Sequence, residues 1–252
     1  MSNNQLTSKV ALVTGAARRI GAEIVRILHD AGMNIVLHYN ASEEEAIEFC
    51  AQLNQIRQNS AVTMRADLQD ADAQKSLITR AAKIWNRLDV LVNNASRFYR
   101  TPINSITDFA WDDLIISNLK GPFFLSCAAA PILAEHQGCI INITDINTER
   151  PLKDYSIYCI SKSGLSMMTK VLARELAPNV RVNAVAPGAI IWPEGDNALT
   201  EESKQKVVNA IPLLRSGVPE DIAKAVLYFV RDADYVTGQT ICVDGGRLLT
   251  GA

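Results

Sequence analysis

The chain has 252 residues, 48% of them hydrophobic and 6% aromatic, with a formal net charge of -2. That length fits one large α/β domain or two small ones, and the near-neutral charge excludes the broad basic field of a nucleic-acid-binding protein. The opening MSNNQLTSK lacks the apolar stretch of a secretory signal, and no continuous run reaches the ~20 apolar residues that span a bilayer, so a cytoplasmic protein with no membrane partner is expected.

In chain order, the runs KVALVT (9–14), NIVLHY (34–39), AVTMRAD (61–67), LDVLVNNA (88–95), GCIINIT (138–144), VRVNAVAP (180–187) and QTICVDG (239–245) read as strands. Several are too continuously apolar to have a wet face, which is the signature of parallel strands covered on both sides. Helical patterns begin near Ile20, Ser42, Asp70, Thr107, Tyr155 and Pro219. SEEEA places Ser42 as an N-cap with Glu45 as its capping-box partner. No low-complexity linker interrupts the alternation, so the chain reads as a single-domain doubly wound Rossmann fold with a parallel sheet of about seven strands. Ligands of such sheets bind beyond the carboxyl ends of the strands. The five cysteines (Cys50, Cys127, Cys139, Cys159 and Cys242) form no CxxC pair and read as buried thiols, and the three histidines lack metal-ligand spacing, so no metal site is expected.

After the first strand comes TGAARRIG, Thr14 to Gly21. Gly15 and Gly21 suit a turn whose backbone meets a pyrophosphate, but Arg18 and Arg19 stand between them. The second strand ends LHYNAS, with no acid before Glu43 to hold a ribose 2'-hydroxyl. A 2'-phosphate would instead find Asn40, Ser42 and Arg18, so NADP(H) is expected over NAD(H). Asp67, after the third strand, suits either the adenine amino group or a helix cap. Asn93 and Asn94 suit either the ribose or the task of tying strand ends together.

YCISK puts Tyr158 and Lys162 four residues apart on one helical face, in the helix that follows NITD. A cation ~4 Å from a phenol, at an effective dielectric of ~20, is worth about 4 kcal/mol and favours phenolate, so proton exchange near neutral pH is expected. TGAARRIG, NNAS, Asn118 in SNLKGPFF, NITD with YCISK, and APG at Ala186 to Gly188 together resemble the ordered motif set of the short-chain dehydrogenase/reductase family, over nearly the whole chain. The resemblance implies hydride transfer from NADPH, with Tyr158 as proton donor, Lys162 on the nicotinamide ribose and lowering the tyrosine pKa, and Asn118 in the proton relay. It extends the cofactor contacts to Ile20, Ala41, Leu68, Asn94, Ala95, Pro187 and Gly188, and implies a homotetramer.

Two departures narrow this reading. Most of the family has a serine thirteen residues before the tyrosine, and here it is Asp145; the middle glycine of the first turn is Arg19. With NNASRFY and HYNAS, both departures resemble the pteridine reductase branch, in which the first arginine (Arg18) faces the cofactor phosphate and the second (Arg19) approaches the pterin and the pyrophosphate. An ionised carboxylate is a poor partner for a carbonyl oxygen but suits the N-H and amino donors of a pterin. The expected substrate is therefore a dihydropterin, with dihydrofolate a further candidate. The resemblance implies that Ser96 hydrogen-bonds nearby and that Phe98 stacks on the flat ring, simple packing being the other reading of Phe98. The stretch 189–212 stands where the family has its substrate lid, with Trp192 either closing over substrate or burying the loop. Two alternatives remain open: a carbonyl or 3-oxoacyl-thioester reductase, which Asp145 disfavours, and an NADP-sensing or scaffold protein without catalysis. Asp145 would then be a helix cap or part of a structural ion pair.

Overall fold

The computed structural model describes residues 6–192 and 199–250. Seven strands form one sheet: β1 (Val10–Val13), β2 (Asn34–Tyr39), β3 (Ala61–Arg65), β4 (Val90–Asn93), β5 (Cys139–Ile143), β6 (Arg181–Pro187) and β7 (Thr240–Val243). All pair in parallel, in the order β3-β2-β1-β4-β5-β6-β7. The order reverses direction at β1 and β4, so the crevice for a ligand lies beyond the carboxyl ends of those two strands. Every residue of β1, β4 and β5 is buried, the sheet being covered on both faces.

Helices α1 (Arg19–Asp30), α2 (Glu43–Ile56), α3 (Ala71–Ile84), α4 (Asp108–Ile115), α5 (Gly121–Glu135), α6 (Ser156–Glu175), α7 (Glu201–Asn209) and α8 (Pro219–Arg231) connect them. On one face, Ile24 and Leu28 of α1 lie four residues apart and pack with Val226 and Phe229 of α8 under β1 and β2. On the other face, Leu77 of α3, Leu125 and Leu133 of α5, and Leu165 and Leu172 of α6 pack against Leu12, Leu91 and Ile140. Each such side chain stabilises the fold by about 1.5–3 kcal/mol relative to exposure. The two layers hold the strand ends rigidly, so the loops after them can carry chemistry.

Four local expectations change. Ser42 makes no side-chain cap hydrogen bond, and Glu45 turns instead to Arg18, with 3.3 Å between Nη1 and Oε1. The helix after β3 is capped by Asp70, whose carboxylate accepts from the amides of Asp72 and Ala73 at 2.8 and 3.3 Å, so Asp67 is not the cap. Cys139 and Cys159 are buried as expected, but Cys127 is exposed on the outer side of α5 and Cys242 on the edge strand β7. α4, a π-helical turn (Ile116–Lys120) and α5 run continuously from Asp108 to Glu135, long and apolar enough to cross a membrane by length and composition. In the fold, α5 buries Leu125, Ala129 and Leu133 on the sheet layer instead.

Candidate active site

The turn after β1 is shaped by glycine at two points. Gly15 has φ 61°, and a Cβ on Gly21 would lie 2.3 Å from the Gly15 carbonyl oxygen and 2.6 Å from Nδ2 of Asn94. Asn94 donates through Nδ2 to the carbonyls of Thr14 and Gly15 at 2.8 and 3.0 Å, tying β4 to the turn. Asn93 ties β4 to β5, donating to Oδ1 of Asn142 at 2.8 Å. Of the two tasks read for this pair, the strand tie is therefore present in both. Beneath the turn, buried His38 donates from Nε2 to the Ala66 carbonyl at 3.1 Å, leaving Nδ1 to accept from the Gly15 amide at 3.2 Å. Burial pulls its pKa down to about 4, so it stays neutral.

No side chain caps the start of α1. Its first amides face a cleft of about 680 Å³ lined by Gly15, Arg18, Arg19, Ile20 and Gly21, with Asn40, Ser42, Asn94, Ala95 and Ser96 around them. Uncapped amides at a helix N-terminus, with a glycine that tolerates no Cβ, fit the pyrophosphate of a dinucleotide. Arg19 holds a left-handed φ of 54°, a conformation that favours glycine. Asp67 and Leu68 line an adjoining cavity of about 160 Å³ with His38 and Asn40, while Ala41 is exposed beside it. Asp67 accepts from the Gln69 amide at 3.0 Å.

β5 and α6 bring the remaining predicted residues together. The Tyr158 hydroxyl donates to Oδ2 of Asp145 at 2.6 Å, and Oδ1 of Asp145 accepts from the Asn147 amide at 2.8 Å. Lys162, also buried on this face of α6, donates to the Ile143 carbonyl at 2.8 Å and lies 5.9 Å from the Tyr158 ring centroid. Burial raises the Asp145 pKa, opposed by the Tyr158 hydrogen bond. Burial and then the Asp145 charge hold Tyr158 well above its ordinary value. The expected phenolate is thus disfavoured, first by burial and then by the carboxylate 2.6 Å from the hydroxyl. Lys162 is pulled down to about 8 by burial, with Asp145 opposing.

Asn118 is fully buried in the π-helical turn, an irregularity that recurs at functional sites. Its Oδ1 accepts from the Arg97 amide at 2.8 Å and the Ser96 hydroxyl at 3.2 Å, and its Nδ2 donates to Oγ of Ser161 at 3.1 Å. It thereby fixes the loop bearing Ser96 and Phe98 against α6.

A second cavity, about 470 Å³, contains Asp145, Tyr158, Lys162, Pro187, Gly188 and Trp192, and shares Ser96 and Phe98 with the first. Phe98 stacks on Tyr155 at 4.5 Å and 15°, and meets Tyr158 nearly perpendicularly at 4.8 Å. From the stretch read as a lid, Ile190, Ile191, Leu199, Ser203 and Val207 also line this cavity, while residues 193–198 lie outside the described residues. Sequence reasoning missed Tyr155, Leu152, Asn147 and Arg247. Tyr155 stands one helical turn before Tyr158, a spacing that would have pointed to it. Arg247 has no local signal, since only the tertiary fold returns it to Asp145. Among the described residues no cluster suited to a metal ion occurs.

A family model described as enoyl-(acyl carrier protein) reductase matches residues 15–247. Pteridine reductase 1 of Leishmania tarentolae is 36% identical over 98% of this chain and 98% of its own. A 3-oxoacyl-(acyl-carrier-protein) reductase of Staphylococcus aureus is 38% identical over 96% of this chain and 99% of its own. The corresponding Staphylococcus epidermidis protein is 36% identical over 96% and 100%.

Proposed function

The chain belongs to the short-chain dehydrogenase/reductase family of oxidoreductases, and from that premise we propose that it reduces dihydropterins to their tetrahydro forms with NADPH. The observation that carries this reading is the carboxylate of Asp145 on the Tyr158 hydroxyl, inside the cavity that adjoins the glycine turn.

Gly15, Gly21 and the first amides of α1 would take the pyrophosphate of NADPH, Arg18, Asn40 and Ser42 its 2'-phosphate, and Lys162 the nicotinamide ribose. Bound there, the cofactor supplies a hydride. Phe98 offers an aromatic surface to a flat ring, and Ser96, held by Asn118, offers a hydroxyl. Asp145 accepts from ring N-H or amino donors, a task a carbonyl substrate does not present. Tyr158, with its raised pKa, retains its proton until an imine nitrogen of rising basicity accepts it. Lys162 then stabilises the negative charge left at the tyrosine, where a second anion beside Asp145 is otherwise unfavourable.

The Staphylococcus relatives support a second reading, reduction of a 3-oxoacyl thioester, at comparable identity. It requires Asp145 to be protonated before it can donate to a carbonyl oxygen. The test is cofactor oxidation with NADPH and with NADH against dihydrobiopterin, dihydromonapterin, dihydrofolate and acetoacetyl thioester. The proposal expects NADPH-dependent turnover of a dihydropterin as the dominant activity; dominant turnover of the thioester would overturn it.

A further inference from the structure

Arg247 opens the short 3-10 turn (Arg247–Leu249) after β7, and its backbone is held from several sides. Gly245 and Gly246 take φ of 65° and 88°, and Asp244 accepts from the amides of Gly246 and Leu248, each at 2.8 Å. The Arg247 carbonyl accepts from Nη1 of Arg150 at 3.1 Å and Oγ1 of Thr250 at 3.0 Å.

Its side chain is treated differently. It lines the cavity of Asp145 and Tyr158 and is absent from the lining of the cleft at the glycine turn, so it stands away from the proposed pyrophosphate position. Its Nε is buried and finds no hydrogen-bond acceptor among the described residues. Asp145 does not accept from this Nε; its oxygens accept from Tyr158 and the Asn147 amide. Nε is closed to water and to a ligand alike, so an oxygen carried by a ligand meets the part of the Arg247 side chain that lines the cavity. The rest of this wall is largely apolar, with Leu152, Leu199 and Val207, so an oxygen arriving there finds Arg247 as its strongest donor.

Building on the dihydropterin reading, we propose that Arg247 is a specificity-determining residue whose guanidinium donates to an oxygen, hydroxyl or carboxylate, on the substituent of the pterin ring. Asp145 and Tyr158 serve the reacting ring; Arg247 selects what hangs from it. A substituent without oxygen would offer the guanidinium no acceptor, and a site built to hydrogen-bond discriminates strongly against a ligand that lacks the partner.

The experiment measures kcat and KM for the unmodified protein, Arg247→Met and Arg247→Lys on three substrates. These are dihydrobiopterin (hydroxylated), 6-carboxy-7,8-dihydropterin and 6-methyl-7,8-dihydropterin, with NADPH affinity measured separately. The unmodified protein should prefer an oxygen-bearing substrate over the methyl compound. Arg247→Met, which keeps the apolar stem, should lose about ten- to a hundredfold in kcat/KM on that substrate, chiefly through KM. Its turnover of the methyl compound and its NADPH affinity should be unchanged. Arg247→Lys retains charge without the planar guanidinium and should keep a preference only for the carboxylate; it also serves as the test if the methionine protein does not fold. An equal effect on all three substrates, or none, overturns the inference and leaves Arg247 a structural residue. Inactivity of the unmodified protein on all three removes the dihydropterin reading itself, an outcome separate from the first.

Discussion

Tyr158 and Asp145 share a hydrogen bond of 2.6 Å between the phenolic hydroxyl and a largely buried carboxylate. Burial, and then a carboxylate at that distance, opposes loss of the phenolic proton, so the tyrosine is held as an acid with a high pKa rather than a pre-formed phenolate. Asp145→Asn removes the negative charge while keeping shape. The Tyr158 pKa should then fall by one unit or more, on the order of the Coulomb energy of a close pair at an effective dielectric of ~20. Phenolate absorbance, titrated against a Tyr158→Phe control without cofactor, reads this directly. An unchanged or raised pKa would mean that burial alone governs the residue.

Arg19 occupies a left-handed position that favours glycine, at the mouth of the cleft beside the glycine turn. A non-glycine residue there costs roughly 1–2 kcal/mol. Arg19→Gly should therefore raise stability by on the order of 1 kcal/mol, after allowance for the greater freedom of glycine in the unfolded chain. The same change should weaken substrate or cofactor binding, because the guanidinium is lost. Denaturation and kinetics on one preparation check both halves; a glycine variant that is less stable would show that contacts of Arg19 outweigh its backbone strain.

His38 links acid stability to the glycine turn after β1. Its pKa in the folded protein is about 4, pulled down from 6.5 by burial. Above about pH 6.5 the residue is neutral in both folded and unfolded chains. As pH falls toward 4 the unfolded chain takes up a proton that the folded one refuses, so stability is lost over that window, by up to about 3 kcal/mol. His38→Gln cannot protonate and should show a shallower loss between about pH 7 and about pH 5 in denaturant titrations. Parallel losses in both proteins would place the acid sensitivity elsewhere.

Much of this architecture was legible in sequence because parallel strands covered on both faces must be continuously apolar, and all seven runs became strands. The glycine turn and the Tyr158/Lys162 face were readable for the same reason, since backbone geometry and helical spacing are local. What was hidden depended on competition between partners. Glu45 prefers Arg18 to a capping box, and the Tyr158 hydroxyl prefers Asp145 to the field of Lys162. The helix α7 and the side chain of Arg247 were also hidden, because their place at the cavity is set by packing between segments distant in sequence.

Under the dihydropterin proposal, Asp145 makes this a pterin site rather than a carbonyl site. The direct test is the ratio of kcat/KM for dihydrobiopterin to that for acetoacetyl thioester, in the unmodified protein and in Asp145→Ser, with NADPH affinity monitored. Serine removes a charged hydrogen bond to substrate and supplies a neutral donor for a carbonyl oxygen. The pterin term should fall about ten- to a hundredfold while the thioester term rises and NADPH affinity holds. A ratio unchanged by Asp145→Ser, with full pterin activity retained, would contradict the account.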